Sequence, residues 1–98
     1  MDDVGKVINP LLVEGQIIGG AAQALAEALY EEIIFDDLGN PLNQTLMDYL
    51  FPTSLDIPNM ECYRTYTPTQ ANPLGAKGVG EIGSIGFTPA VVNSIEDA

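Results

Sequence analysis

An α+β domain, with helices packed on a small mixed or antiparallel sheet, is predicted by three observations. A long apolar stripe at helical spacing runs from about Val13 to Glu32, short runs of β-formers flank it, and a second helical pattern closes the chain. The 98 residues suffice for one domain with a modest core, so residues 1–98 are read as a single domain.

Residues 4–9, Val-Gly-Lys-Val-Ile-Asn, read as a short strand or its end, closed by Pro10, which has no N–H to give to a ladder. The helix from Val13 to Glu32 places Ile18, Ala21, Ala22, Leu25, Ala28 and Leu29 on one stripe. Its first half holds Gly15, Gly19 and Gly20, each costing about 1 kcal/mol relative to alanine. Two explanations stand side by side. Gly15, Gly19 and Ala22 form a small face for close helix packing, or the glycines let a ligand approach the helix N-terminus, with the Gln16 amide pointing into the same space.

Ile33 to Asn43 reads as two short strands joined by a turn at Asp36-Asp37-Leu38-Gly39-Asn40. The acids Glu31, Glu32, Asp36 and Asp37 lack calcium-loop spacing and read as a solvated edge. Thr45 is placed as the cap of a short helix ending at Leu50, before Phe51 and Pro52. A proline-punctuated loop follows, then a strand over Glu61 to Thr67. The closing helix spans about Thr88 to Glu96, with Thr88 as cap and Pro89 in its first turn.

Between that strand and that helix lies the most unusual stretch, Asn72 to Gly86. There Gly75, Gly78, Gly80, Gly83 and Gly86 surround one lysine, Lys77, and one carboxylate, Glu81. Glycine loses more freedom on folding than any other residue, so such density is expected where backbone closely approaches a ligand or a packed partner. Gly78-Val79-Gly80-Glu81-Ile82-Gly83 matches the dinucleotide pattern G-x-G-x-x-G only formally. The residues before it are polar and proline-broken, and the acidic residue about twenty positions on, inside a βαβ unit, is lacking. A phosphate loop needs Ser or Thr after its lysine, whereas Gly78 follows Lys77.

Composition removes other chemistries. An apolar share of 46% argues against disorder. A net charge of −11 repels phosphate backbones and anionic lipid, so neither nucleic acid nor a membrane surface is an expected partner. With no histidine and the single Cys62, imidazole triads, cysteine-rich zinc sites and iron-sulfur clusters built from this chain alone are excluded. Cys62 has no base beside it in sequence and is read as a packing residue. No run reaches the length of a membrane span, and Met1-Asp2-Asp3 lacks a basic leader region, so a cytoplasmic location is expected.

The same segments carry a resemblance. Asp2-Asp3-Val4-Gly5-Lys6-Val7-Ile8-Asn9-Pro10, then Val13-Glu14-Gly15-Gln16-Ile17-Ile18-Gly19-Gly20, then Asp48-Tyr49-Leu50 with Pro52-Thr53, and above all Asn72-Pro73-Leu74-Gly75-Ala76-Lys77-Gly78-Val79-Gly80-Glu81, occur in this order. Together they resemble the C-terminal part of the molybdopterin-binding large subunit of the xanthine dehydrogenase, aldehyde oxidase and carbon monoxide dehydrogenase family. The likeness covers essentially the whole chain and is strongest to carbon monoxide dehydrogenase-like members.

The resemblance implies a fragment of a larger molybdopterin-binding domain. It implies that Glu81 is the catalytic base beside the molybdenum, taking a proton from the attacking hydroxyl as hydride leaves an electrophilic carbon. It implies that Gln16 contacts the pterin, that Gly15 and Gly19 permit its approach, and that the backbone of Lys77, Gly78, Val79 and Gly80 lines the cofactor. No side chain of this chain is assigned to the metal. The cofactor implied is molybdopterin with molybdenum, the cytosine dinucleotide form among its candidates, held only in the assembled enzyme and not by the isolated chain. The implied partners are the remainder of the molybdenum subunit and iron-sulfur and flavin subunits or domains. Cys62 does not stand where the carbon monoxide-oxidising branch places its copper-binding cysteine, so it names no substrate.

Those subunits are far longer than this chain, which reads as a cloned fragment, a split-gene product or a degraded copy, catalytically silent alone. The alternative is a non-catalytic acidic relic or interaction domain. In either case strands that have lost their neighbours expose unpaired edges, and the isolated chain is expected to self-associate as a homo-oligomer.

Overall fold

The computed structural model describes residues 1–98. In chain order it contains β1 (Asp2–Asp3), α1 (Pro10–Leu29), β2 (Arg64–Thr65), α2 (Ile82–Ile85) and α3 (Phe87–Glu96). β1 and β2 run parallel, with Asp2 opposite Arg64 and Asp3 opposite Thr65, and α1 lies in the crossover between them. Immediately beyond, Gly5 makes an antiparallel bridge to Ala76, so the small sheet region is mixed, as expected. Both ends of this bridge depend on glycine. Gly5 (φ +63) and Gly75 (φ +69) are left-handed, and a Cβ on Gly5 would overlap the Gly75 carbonyl oxygen, which accepts the Lys6 N–H at 2.9 Å.

α1 begins earlier than its apolar stripe suggests. Asn9 is the cap, its Oδ1 accepting the Leu12 N–H at 3.2 Å, and Pro10 occupies the first turn, where its missing N–H costs nothing. Pro10 therefore opens a helix instead of closing a strand. The buried row is Val13, Ile17, Ala21, Ala24, Leu25 and Ala26. Of the expected stripe Ala21 and Leu25 are buried, while Ile18, Ala22 and Ala28 are half-buried and Leu29 is exposed. The helix is turned so that Val13 and Ile17 meet Val4, and this cluster is joined by Val7, Cys62, Val79 and Ile82. Cys62 is thus a packing residue at the edge of the core.

The segments between α1 and β2 differ most from expectation. The hairpin is reduced to one antiparallel bridge, Phe35 to Pro41, with Leu42 N–H donating to the Ile34 carbonyl at 2.8 Å. Pro41 has no N–H with which to extend the ladder. Asp36 is not merely a solvated acid. Its Oδ2 accepts the Asn40 side-chain amide (2.9 Å) and its Oδ1 the N–H groups of Asn40 (2.8 Å) and Leu38 (2.9 Å), and these bonds, the Asn40 amide foremost, lower its pKa. The short helix from Thr45 is absent. A single turn forms instead, with Tyr49 N–H donating to the Thr45 carbonyl at 2.8 Å, because Leu46, Met47 and Leu50 are all exposed and offer no buried face. The strand over 61–67 shrinks to Arg64–Thr65. α3 starts at Phe87, and Thr88 makes no cap; its hydroxyl faces Glu27 Oε2 at 3.5 Å.

α2 was not foreseen within the glycine-rich stretch. It packs, with α3, on α1, where Gly83 is seated on the Ile17 carbonyl and Gly20 of α1 faces Gly83 and Ser84.

Candidate cofactor site

The loop between Ala76 and Glu81 is pinned from both ends. At its start, Lys77 N–H donates to the Val4 carbonyl at 2.9 Å and Asn72 Nδ2 donates to the Ala76 carbonyl at 2.9 Å. Further on, Val79 and Ile82 bury their side chains against the Val4, Val13 and Ile17 cluster. The Lys77 ammonium is not free for a ligand, since its Nζ lies 3.2 Å from Asp3 Oδ2. Asp3 Oδ1 also accepts the Gly5 N–H at 2.9 Å and the Thr67 N–H at 3.2 Å. Hydrogen bonding from Thr67, then from Gly5, with Lys77 adding to it, holds this carboxyl well below the ordinary carboxylate range. Lys77 therefore fixes the loop through its side chain and leaves its backbone to line the site.

Gly15, Gln16, Lys77 and Val79 come together in one open cavity of about 550 Å³, with Val4, Asn9, Leu12 and Ala76 among its other walls. Gly19 instead lines a separate cavity of about 530 Å³ with Gln23 and Phe51. Gly78, Gly80 and Glu81 line neither. Glu81 is exposed at the start of α2, its carbonyl accepting the Ser84 hydroxyl at 2.8 Å and the Ser84 N–H at 3.1 Å. Of the sequence-predicted residues the structure thus brings together Gly15, Gln16, Lys77 and Val79, and leaves Gly19, Gly78, Gly80 and Glu81 outside that cavity.

One test of fit comes from the glycines. Gly15, Gly19, Gly78 and Gly80 have no positive φ, and a Cβ on any of them would meet nothing within 4 Å in this chain. Within this chain nothing packs on Gly15 or Gly19, so either a packing partner or a ligand at this face comes from outside it. The helix contact uses Gly20, whose Cβ would stand 3.1 Å from Ser84 N and 3.2 Å from Gly83 Cα. The other four are glycines facing open space, two of them in a helix interior. Such positions fit a group from outside the chain that comes close to backbone, and the exposed Gln16 amide lies among them. No three His, Cys, Asp or Glu side chains are grouped to hold a metal ion. The residues present fit a cofactor that brings its own metal. No helix is long and apolar enough to cross a membrane.

Residues 1–58 match the family model of the molybdopterin cofactor-binding domain. The chain belongs to this family. Relatives match along nearly the entire chain. The 6-hydroxypseudooxynicotine dehydrogenase complex subunit gamma of Paenarthrobacter nicotinovorans is 45% identical over 97 residues, 98% of this chain and 12% of its own length. The carbon monoxide dehydrogenase large chain of Afipia carboxidovorans is 43% identical over 98 residues, covering 100% of this chain and 12% of its own. Among solved structures, a Cu,Mo-CO dehydrogenase in its carbon monoxide reduced state superposes with a TM-score of 0.92 at 43% identity, over 98% of this chain and 12% of that one. Quinoline 2-oxidoreductase from Pseudomonas putida 86 gives a TM-score of 0.92 at 48% identity, over 97% and 12%. The chain therefore spans about 12% of the length of the relatives it matches.

Proposed function

We propose that this chain supplies the catalytic-base loop and part of the pterin wall of a molybdenum-cofactor-binding oxidoreductase of the xanthine dehydrogenase, aldehyde oxidase and carbon monoxide dehydrogenase type. The observation that supports this reading is the meeting of Gly15 and Gln16 of α1 with Lys77 and Val79 of the loop on one open cavity, where Gly15 leaves the backbone of α1 uncovered. The bound cofactor, molybdopterin in its cytosine dinucleotide form, supplies the acceptor for two electrons. The chain's own residues bind and position. Gln16 offers its amide to the pterin, Gly15 and Gly19 admit it to α1, and the backbone from Lys77 to Gly80 lines its other side. Glu81 takes a proton at its carboxylate when substrate is oxidised. It stands free for this task, since no side chain of this chain hydrogen-bonds its carboxylate.

Residues 1–98 act in this reading as one segment of a large subunit, completed by the rest of that subunit and served by iron-sulfur and flavin partners in the cytoplasm. Alone the chain is inactive, because a single open wall neither encloses a cofactor nor excludes water.

Glu81→Gln in the assembled enzyme tests the assignment. General-base catalysis is worth about a hundredfold or more, so turnover falls by at least that factor while molybdenum content is unchanged. Retained turnover removes Glu81 as the base.

A second reading is favoured by one observation, the exposed apolar arm from Ile33 to Leu55, where Phe35 is 59% and Met47 96% exposed. In that reading the chain is a non-catalytic acidic module that self-associates through this arm.

A further inference from the structure

We propose that Gly83 is a positioning residue for Glu81, acting through a glycine-to-backbone contact with α1 that sets where the carboxylate stands. The proposal rests on the reading of Glu81 as the base. Gly83 is two residues beyond it, in α2, and is seated directly on α1. A Cβ there would overlap the Ile17 carbonyl oxygen and lie 3.1 Å from Ala21 N, both backbone atoms of a helix that cannot swing aside. From the opposite side, a Cβ on Gly20 would lie 3.1 Å from Ser84 N and 3.3 Å from the Gly83 carbonyl carbon. The two glycines face each other across the helix contact, and the seat of Gly83 is the tighter.

This contact is coupled to Glu81 by short links. Ser84, next to Gly83, gives both its N–H (3.1 Å) and its hydroxyl (2.8 Å) to the Glu81 carbonyl. Ile82, between Glu81 and Gly83, packs on the Val4, Val13 and Ile17 cluster. Lifting Gly83 off α1 therefore draws Ile82 and Glu81 with it. The same α1 carries Gln16 one residue before Ile17, so the Gly83 seat fixes the distance between base and amide. Gly86 is the natural control. It lies at the end of α2 with φ −95, and a Cβ on it would meet nothing within 4 Å.

The experiment compares Gly83→Ala, Gly86→Ala, Glu81→Gln and the Gly83→Ala/Glu81→Gln double variant in the assembled enzyme. A misplacement of about 1 Å costs on the order of a hundredfold in rate. Gly83→Ala is expected to lower kcat per bound molybdenum by about that factor, with KM little changed and the acidic limb of the pH–rate profile displaced. In the Glu81→Gln background it has no further effect, because its influence passes through that carboxylate. Hydrogen exchange of residues 79–86 rises in Gly83→Ala as the Ser84 N–H loses its bond, and Gly86→Ala matches the unaltered enzyme throughout. An unchanged kcat per molybdenum in Gly83→Ala, or the same loss in both backgrounds, overturns the proposal. Turnover retained by Glu81→Gln instead overturns the base assignment, a distinct result. Where Gly83→Ala does not assemble, Gly20→Ala carries the test. Its neighbours need yield only a few tenths of an ångström, so a smaller fall in kcat is expected, and none overturns the proposal.

Discussion

Asp3 and Lys77 show how a single ion pair can hold a loop from the far end of the chain. Asp3 ties three separate stretches together: the turn at Gly5, the strand end at Thr67 and the loop at Lys77. Its folded pKa is depressed by those bonds, with Thr67 contributing most. The sign of the pH dependence follows. A depressed carboxylate contributes stability that is fully present above its unfolded pKa of about 4 and is lost as pH falls toward the folded value. Acid unfolding is therefore expected to steepen below about pH 4 in the unaltered chain. Asp3→Asn should be less stable at neutral pH and flatter through that acidic range, as read by the denaturant midpoint at each pH. Equal slopes for the two proteins would remove Asp3 as the tie. At this scale the sequence marks Glu81 and Gln16 as candidates, because each is a lone polar group set among glycines. It hid the partner of Lys77, since Asp3 lies at the other end of the chain and no local pattern joins them.

α1 is the element on which the account turns, and its glycines divide by what they face. Gly20 faces α2, whereas Gly15 and Gly19 face open space. Replacing either exposed glycine by alanine is expected to act with opposite sign in two settings. In the chain alone, each substitution stabilises α1 by about 1 kcal/mol, seen as a higher thermal midpoint of helical circular dichroism. In the assembled enzyme the added methyl group stands where the cofactor approaches, and bound molybdenum falls. A rise in stability with full molybdenum content would mean that nothing approaches this face. The body of α1 was readable from its spacing and its start was missed, because Asn9-Pro10 can end a strand or cap a helix equally well in sequence. The 33–43 hairpin is shortened to one bridge and the Thr45 helix to one turn for a shared reason. Their local propensities were sound, yet Leu38, Leu46 and Met47 find no core here to reward them. α2 is not legible in the sequence, because the glycines around Ile82 and Ile85 mask their helical spacing.

The whole molecule is unusually open for its size. Its radius of gyration is 17.1 Å, against roughly 13 Å for a compact chain of this length, and only 9 of 98 residues are buried. The principal extents of 55 × 30 × 22 Å describe a small core with an arm, and that arm exposes Ile33, Phe35, Leu38, Met47 and Leu55. Apolar area of this kind is covered in use. It can be covered by the rest of a large subunit or by a second copy of this chain, and these two outcomes separate the two functional readings. Neither was decidable from composition, which reports how much apolar surface there is and not what lies over it.

Whether this chain is a working share of a molybdenum enzyme is read from the native mass and molybdenum content of the species it enters, purified gently from its own cells. The account predicts a large assembly in which molybdenum is stoichiometric with the chain. A monomer or small homo-oligomer free of molybdenum would contradict it and leave the self-associating acidic module as the better description.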